Sequence, residues 1–350
     1  MKIGILTYHR AHNYGAILQA IATRTVLQSM GHQVYYIDYW PEYHKQKYHF
    51  FSFKKLRAQK FCYLISRIVL HKEIIKRSKM FFAEISKFIE PYCSLDKKYE
   101  AIVYGSDQIW RKQREINGYN SVYFADLSYS APIRFSYAAS MGIIRKSDSK
   151  EIKGLLKNFT AIGVREEDLL DFVTSFGYSA QLNLDPTMLL SSNEWDKILC
   201  PKRIISESYL LYYSLNKDVF NIDVINQYAK MRGLKVIEVC GEAKKEKNGV
   251  FPFASLSDFV SLIKYADVVI STSFHGLVFS ILYHKMVFTS NRINAQRQRY
   301  LAKRLGLIDI CLEPQCQVIP LDLLIDYSEV DKILEKERAV SMQFIKRNLC

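Results

Sequence analysis

The stretch from Asp267 to Leu282 constrains the fold more than any other part of the chain. Its β-branched run up to Ile270 is typical of a strand buried on both faces, as in a parallel sheet between helices. Ser271 to Ser273 interrupt this run, and the apolar segment that follows is predicted to be a helix. With Ser273 as the N-cap, His275 falls in the first helical turn.

A histidine at this position has two interpretations. The first turn of a helix presents unpaired backbone N–H groups and the positive end of the dipole, which favour a bound anion and a neutral imidazole. Histidine is also the side chain that most readily exchanges a proton near neutral pH. The alternative is that His275 only caps the turn or packs there, and the Ser-Phe-His-Gly motif alone leaves both open.

The composition indicates a folded protein of two domains. The chain has 350 residues, and 49% of them are hydrophobic, which suffices for two cores. The N-terminus enters a strand pattern at Lys2 without the features of a signal peptide, so we expect a cytoplasmic protein. The apolar run Phe61 to Leu70 is too short to span a bilayer. The seven cysteines form no Cys-x-x-Cys pair, so neither a metal nor a disulfide framework is expected.

The positive charge is concentrated between Pro41 and Cys93. Twelve Lys or Arg against four Glu give this region +8 of the net +14. Aromatic residues are interleaved with the basic ones, a composition that suits nucleic acid, a membrane surface or an anionic substrate. The alternative is a solvated helical hairpin whose aromatic side chains fill a core.

Alternating strand and helix patterns divide the chain into two halves. Residues 1–190 are predicted to form one Rossmann-like domain, in which the basic aromatic segment of about residues 41–93 is a helical insert. Residues 191–350 are predicted to form a second Rossmann-like domain that ends in a helix. The fold class is therefore α/β, with two domains facing across a cleft. Polar residues follow strands of the first half, where ligands bind in such folds: Asn13, Tyr14, Gly15 and Asp107. Arg165 follows a later strand, where it could grip an anion or pair with a neighbouring Glu.

Six motifs occur in an order that resembles the bacterial polysaccharide pyruvyl transferases. They are Asn13-Tyr14-Gly15-Ala16, Gly105 to Trp110, Tyr137 to Gly142, Val164-Arg165-Glu166, Leu184-Asp185-Pro186-Thr187 and Asp267 to Gly276. The resemblance covers Met1 to about Leu307. The sequence departs from the family pattern at Ser273, where some members carry an arginine, and at Ala16, where some members carry an acidic residue.

The resemblance implies a fold similar to the B-type glycosyltransferases and transfer of a pyruvyl group from phosphoenolpyruvate to a sugar as a ketal, with no cofactor. It implies His275 and Arg165 as catalytic residues. Donor contacts are then expected from Ser273, Phe274, Gly276, Arg292, Arg297 and Arg299, and acceptor contacts from Asn13, Tyr14, Gly15 and Asp107. The acceptor would be a sugar of a surface polysaccharide or its lipid-linked precursor, which gives the basic segment a role at the anionic inner face of the membrane.

Two other functions fit the same residues. A nucleotide-sugar glycosyltransferase has this architecture and could set a histidine and arginines against a diphosphate. A non-catalytic module could instead bind a polyanion through the basic aromatic segment, with Lys54 and Lys76 among its lysines. No nucleic-acid partner is expected, and the sequence does not determine the oligomeric state.

Overall fold

The protein folds into two parallel α/β sheets, each flanked by helices. The structure is a computed structural model that describes residues 1–48, 68–93, 98–125, 131–215, 220–245, 247–291 and 296–349. None of the helices in these ranges is long and apolar enough to cross a membrane.

The first sheet has seven strands in the order β3-β2-β1-β4-β5-β6-β7, and every neighbouring pair is parallel. Its strands are β1 (Lys2–Leu6), β2 (Gln33–Ile37), β3 (Tyr92–Cys93), β4 (Ala101–Tyr104), β5 (Ile133–Ala139), β6 (Ala161–Val164) and β7 (Ala180–Leu182). The helices along this half are α1 (Tyr14–Ser29), α2 (Glu42–Tyr48), α3 (His71–Phe88), α4 (Ser149–Leu156) and α5 (Glu167–Thr174).

The second sheet has six parallel strands in the order β10-β9-β8-β11-β12-β13. They are β8 (Tyr209–Ser214), β9 (Lys235–Cys240), β10 (Val250–Phe251), β11 (Val268–Ser271), β12 (Met286–Ser290) and β13 (Cys311–Leu312). The helices are α6 (Ser192–Leu199), α7 (Ile222–Met231), α8 (Leu256–Lys264), α9 (Phe274–Leu282), α10 (Gln296–Arg304) and α11 (Tyr327–Leu349). The prediction of an α/β fold with two Rossmann-like domains is confirmed.

The predicted strand-to-helix turn at Ser271 to Ser273 is also confirmed. All four residues of β11 are buried, as a strand between two helical layers requires. Ser273 is the N-cap of α9, and its hydroxyl accepts a hydrogen bond from the backbone N–H of Gly276. The end of β11 and the start of α9 therefore lie at the carboxyl edge of the second sheet.

The terminal helix α11 follows the second sheet in the chain but packs against the first. Phe344 contacts the ring of Phe135 on β5, and the hydroxyl of Ser341 accepts the backbone N–H of Leu184. Arg338 donates to the carbonyl of Met188. The helix thereby ties the end of the chain to the domain in which the chain began.

Helix α1 carries the main contact between the two halves. The ring of Tyr14, at its first turn, stacks on Phe259 of α8 with 4.4 Å between centroids and an angle of 5°. Tyr14 is only 1% exposed, and Phe81 of α3 packs on its other side. Because aromatic stacking buries large rings in a defined orientation, this contact fixes α1 relative to the second domain.

Helix α3 of the basic segment bridges the same interface. The Arg77 guanidinium donates to the carbonyl oxygens of Cys240, Gly241 and Pro252, at 3.2, 3.0 and 2.7 Å. Glu84 accepts the backbone N–H of Leu256 at the start of α8. The hairpin predicted for residues 41–93 is described only for α2 and α3; residues 49–67, with Lys54, lie outside the described residues.

Replacing Arg77 by alanine should lower the free energy of unfolding by at least about 3 kcal/mol, because hydrogen bonds from a charged donor contribute about 1.5–3 kcal/mol each and are not fully additive. Urea unfolding measures the change. Lys79→Ala is the matched control, since Lys79 is exposed on the same helix and should change stability by no more than about 0.5 kcal/mol. Equal effects of the two substitutions would contradict the role of Arg77 between the domains.

Candidate active site

His275 lies in the first turn of α9, where the two domains meet. It is 6% exposed, and its ring meets that of Phe274 edge to face, with 5.2 Å between centroids. Its Nε2 lies 3.6 Å from Oδ1 of Asp185 in the first domain. This distance is within the range of an ion pair but too long for a hydrogen bond, and the buried Nε2 has no hydrogen-bond partner in the described part of the chain. A buried imidazole that faces a carboxylate is suited to proton transfer.

Asp185 is the centre of a polar cluster. It is 1% exposed, and its carboxylate accepts hydrogen bonds from the backbone and hydroxyl of Thr187, from Ser106 and from Arg165. Burial by itself raises the pKa of this carboxyl, but His275 and Arg165 outweigh it, and the net pKa is well below its ordinary value. Asp185 is therefore a carboxylate at neutral pH.

Arg165 supports Asp185 from the end of β6. Its Nη1 lies 2.5 Å from Oδ2 of Asp185 and its Nε 3.3 Å from Glu166. Burial lowers the pKa of Arg165, but the two carboxylates outweigh it and the net shift is upward. Of the two interpretations of Arg165 from the sequence, the ion pair with the neighbouring Glu is present, and the grip on the anion of a ligand stays a prediction. Its Nη2 is buried and has no hydrogen-bond partner within the described part of the chain.

Gly15 lets the imidazole approach the first domain. A Cβ at this position would lie 1.9 Å from Nδ1 of His275, a distance that no side chain tolerates. Gly276 has the same function within the second domain, because a Cβ there would lie 2.2 Å from the hydroxyl oxygen of Ser271. The glycines of the Asn-Tyr-Gly and Ser-Phe-His-Gly motifs therefore allow close approach, one between the domains and one between α9 and β11.

Arg297 completes the site from α10. Its guanidinium lies 5.8 Å from the ring centroid of Phe274, and that of Arg165 lies 4.6 Å from the same centroid. Burial, and then the charge of Arg165, lower the pKa of Arg297. Two guanidinium groups on one aromatic ring repel each other, so an anion between them would relieve the repulsion.

These side chains line a cleft of about 360 Å³, open mouth included. The first domain contributes Arg165, Glu166, Glu167 and the segment Leu182 to Asp185, and the second contributes Phe274, Arg297, Tyr300, Leu301 and Arg304. Arg304 forms an ion pair with Glu337 and Arg165 one with each of two carboxylates. Among the residues with described positions, Arg297 is thus the guanidinium of this cleft without a carboxylate partner.

The other donor residues predicted from the sequence fall into three groups. Ser273 and Phe274 lie at the start of α9 and are 5% exposed. Arg299 is exposed on α10 and does not line the cleft. Arg292 lies outside the described residues. Of the three arginines considered for the charge absent at Ser273, the structure brings Arg297 into the site.

The residues predicted for the acceptor lie around the same edge in different environments. The Asn13 side chain caps α1 by accepting the N–H of Ala16, and Tyr14 is buried in the domain contact. Gly15 contacts His275. Asp107 follows β4 and its side chain accepts a hydrogen bond from the N–H of Gln108 at 2.8 Å, so it caps its own turn. Of these four, only Gly15 contacts the imidazole.

Sequence reasoning missed Asp185 as a site residue, although its motif was recognised. The signal was available, because an Asp before Pro-Thr at the end of a strand is a helix-capping pattern, and Asp185 does cap a short helix at Pro186–Met188. Its second oxygen accepts hydrogen bonds from Ser106 and Arg165, which come from other strand ends. Its contact with His275 forms only when two segments 90 residues apart meet. Within the described ranges, no group of three or more His, Cys, Asp or Glu is placed to hold a metal ion.

The fold and the site define a class of protein: two Rossmann-like α/β domains of the B-type glycosyltransferase architecture, with an Asp–His pair beside an arginine-lined cleft. The sequence model of the family described as polysaccharide pyruvyl transferase matches residues 13–289, well over half of the chain. The chain belongs to this family of transferases. No curated protein sequence matches it.

Solved structures support the same architecture. The Methanocaldococcus jannaschii UDP-GlcNAc 2-epimerase, in complex with UDP-GlcNAc and UDP, is 12% identical with a TM-score of 0.54, covering 100% of this chain and 99% of its own. The Neisseria meningitidis UDP-GlcNAc 2-epimerase is 12% identical with a TM-score of 0.48, covering 100% and 99%. The E. coli heptosyltransferase WaaC is 11% identical with a TM-score of 0.42, covering 96% and 100%. Only the first is similar enough to support the fold.

Gly15→Ala should displace the imidazole of His275 from Asp185, because the new methyl group would occupy the position of Nδ1. We expect a changed histidine side-chain resonance in NMR spectra and a loss of stability of about 1–3 kcal/mol from overpacking. Gly154→Ala is the control, since a Cβ at Gly154 meets nothing within 4 Å. An unchanged His275 resonance in the Gly15 variant would refute the close approach.

Proposed function

We propose that this protein transfers the pyruvyl group of phosphoenolpyruvate to two hydroxyls of a sugar, forming a ketal and releasing phosphate. The acceptor would be a sugar of a surface polysaccharide or its lipid-linked precursor. The observation that carries the proposal is the Asp185–His275 pair beside a cleft in which Arg297 has no carboxylate partner among the residues that the structure describes. Such a site offers proton transfer next to an anion-binding group, as this reaction requires.

The donor carries a carboxylate and a phosphate on a three-carbon frame, so its site needs positive charge on more than one side. Arg297 and Nη2 of Arg165 would bind it over the ring of Phe274. The backbone N–H groups at the start of α9 add the partial positive charge of a helix N-terminus. Arg297 on α10 would thereby supply the positive charge that, in some relatives, comes from an arginine at the position of Ser273.

His275 would move the protons of the reaction. One proton from the two sugar hydroxyls adds to the methylene carbon of the donor, which becomes a methyl group, and the other leaves with the phosphate. The two sugar oxygens each form a bond to the central carbon. These bonds replace the π bond to the methylene carbon, which is lost when that carbon is protonated, and the bond to the phosphate ester oxygen, which breaks. With its Nε2 held towards Asp185, the imidazole exchanges protons through Nδ1, the nitrogen beside Gly15. Asp185 stabilises the imidazolium formed when His275 takes a proton.

The acceptor would enter from the first domain. Asn13 and Asp107 lie at the carboxyl ends of β1 and β4, which are adjacent in the sheet, and both are partly exposed. Their polar groups would hold sugar hydroxyls near Gly15 and His275. Tyr14 would act by packing, since its buried ring holds α1 against the second domain.

The alternative of a nucleotide-sugar glycosyltransferase rests on the shared architecture, and the M. jannaschii structure contains UDP-GlcNAc. Thermal shift separates the two proposals. We expect phosphoenolpyruvate to raise the melting temperature and UDP-GlcNAc to leave it unchanged. Stabilisation by UDP-GlcNAc alone would favour the alternative. Strongly salt-dependent polyanion binding without turnover would instead favour a binding module.

The reaction is tested with purified protein, phosphoenolpyruvate and a panel of galactose- and mannose-type acceptors, by phosphate release and the mass of the sugar product. His275→Asn should lower kcat by about 100- to 10,000-fold, the range usual for loss of a positioned acid or base. His284→Asn is the matched control, because His284 is an exposed histidine of the same domain that pairs with Asp331. Equal turnover in the two variants would remove His275 from the mechanism.

Arg297→Gln should raise the KM for phosphoenolpyruvate by roughly 10- to 100-fold, corresponding to one lost charged hydrogen bond. Arg299→Gln, two residues along the same helix and exposed, should change it by less than about twofold. Steady-state kinetics at saturating acceptor measure both. A larger effect at Arg299 than at Arg297 would reverse the assignment of the donor arginine.

A further inference from the structure

One face of α3 carries exposed basic and apolar side chains in alternation. Lys72, Ile75, Lys79 and Phe82 are spaced by three, four and three residues, which places them on one side of the helix. All four are exposed, with Ile75 at 36% and Phe82 at 49%. We call these four residues the outer face of α3.

The opposite face of α3 is fixed to the protein. Arg77, Phe81 and Ile85 are buried, and Arg77 holds three carbonyl oxygens of the second domain while Phe81 packs on Tyr14 of the first. The helix therefore crosses both domains, and its outer face keeps one orientation relative to the cleft between them.

The chemistry of the outer face selects its partner. A duplex nucleic acid would bind the lysines through its phosphates, but its paired bases are not free to stack on Phe82 and it offers no apolar surface to Ile75. The core of a protein interface is typically depleted of lysine. Basic and apolar side chains on one face are characteristic of helices that lie in the interface of an anionic bilayer, with lysines at the headgroups and apolar groups below them.

We propose that the outer face of α3 docks the protein on an anionic membrane surface. The ring of Phe82 contacts that of His12 in the first loop, with 4.9 Å between centroids, and this loop leads into Asn13 and Gly15. Docking through α3 would therefore bring the acceptor side of the cleft to the bilayer. That orientation gives a lipid-linked sugar direct access to His275, a consequence that rests on the proposed function, whereas the docking itself does not.

Flotation of the full-length protein with vesicles tests the docking. One set of vesicles contains phosphatidylcholine alone and the other phosphatidylcholine mixed with phosphatidylglycerol. We expect binding to the anionic set only. The double variant Lys72→Gln/Lys79→Gln should weaken it by roughly 30-fold, from about 1 kcal/mol for each lysine near an anionic surface. Ile75→Ser/Phe82→Ser should also lose binding, because it removes the apolar insertion.

The matched control is Ile222→Ser/Met231→Ser, which removes two exposed apolar side chains from α7 of the second domain and should bind as the parent does. Absence of binding by the parent protein, or equal binding by all three double variants, would overturn the proposal. So would binding to duplex DNA as tight as to anionic vesicles and unaffected by Ile75→Ser/Phe82→Ser. Turnover on a water-soluble acceptor reports on the proposed function separately, since it needs no membrane.

Discussion

The buried carboxylate of Asp185 is the group around which the site is built. Ser106, Arg165 and Thr187 bind it from three strand ends of the first domain, and His275 approaches it from the second. A buried charge is tolerated only when its partners replace water. The hydrogen bonds to Asp185 all come from the first domain, so the carboxylate is fixed there, and it gives the imidazole of His275 a charged partner across the domain contact.

The same pairing decides which arginine is available to a ligand. Arg165 gives most of its hydrogen bonds to Asp185 and Glu166, so its charge is largely balanced inside the protein. Arg297 is partly buried beside it and forms no ion pair with a carboxylate in the described part of the chain, and its pKa is lowered by burial and then by the charge of Arg165. An incoming anion would be bound mainly by Arg297 and oriented by Arg165.

Local patterns predicted the elements, whereas the contacts between them depended on tertiary structure. The strand and cap at Ser271 to Ser273 were predicted because burial and capping are properties of a short segment. Arg297 and Arg299 could not be separated from the sequence, since a difference of two residues places them about 200° apart on a helix whose orientation was unknown. Tyr14 was predicted at the rim of the site, but its stacking partner Phe259 comes from a helix more than two hundred residues away.

Two helix starts meet at the imidazole, and this geometry links the domain contact to the chemistry. Gly15 is in the first turn of α1 and His275 in the first turn of α9, so the positive ends of both dipoles point to the same place. An anion at this point would be stabilised by both helix dipoles only while the two helix starts keep this relative position. The stacking of Tyr14 on Phe259 and the three hydrogen bonds from Arg77 to backbone carbonyls maintain this relative position. The basic segment therefore contributes to the site through the rigidity of α3, whatever its outer face binds.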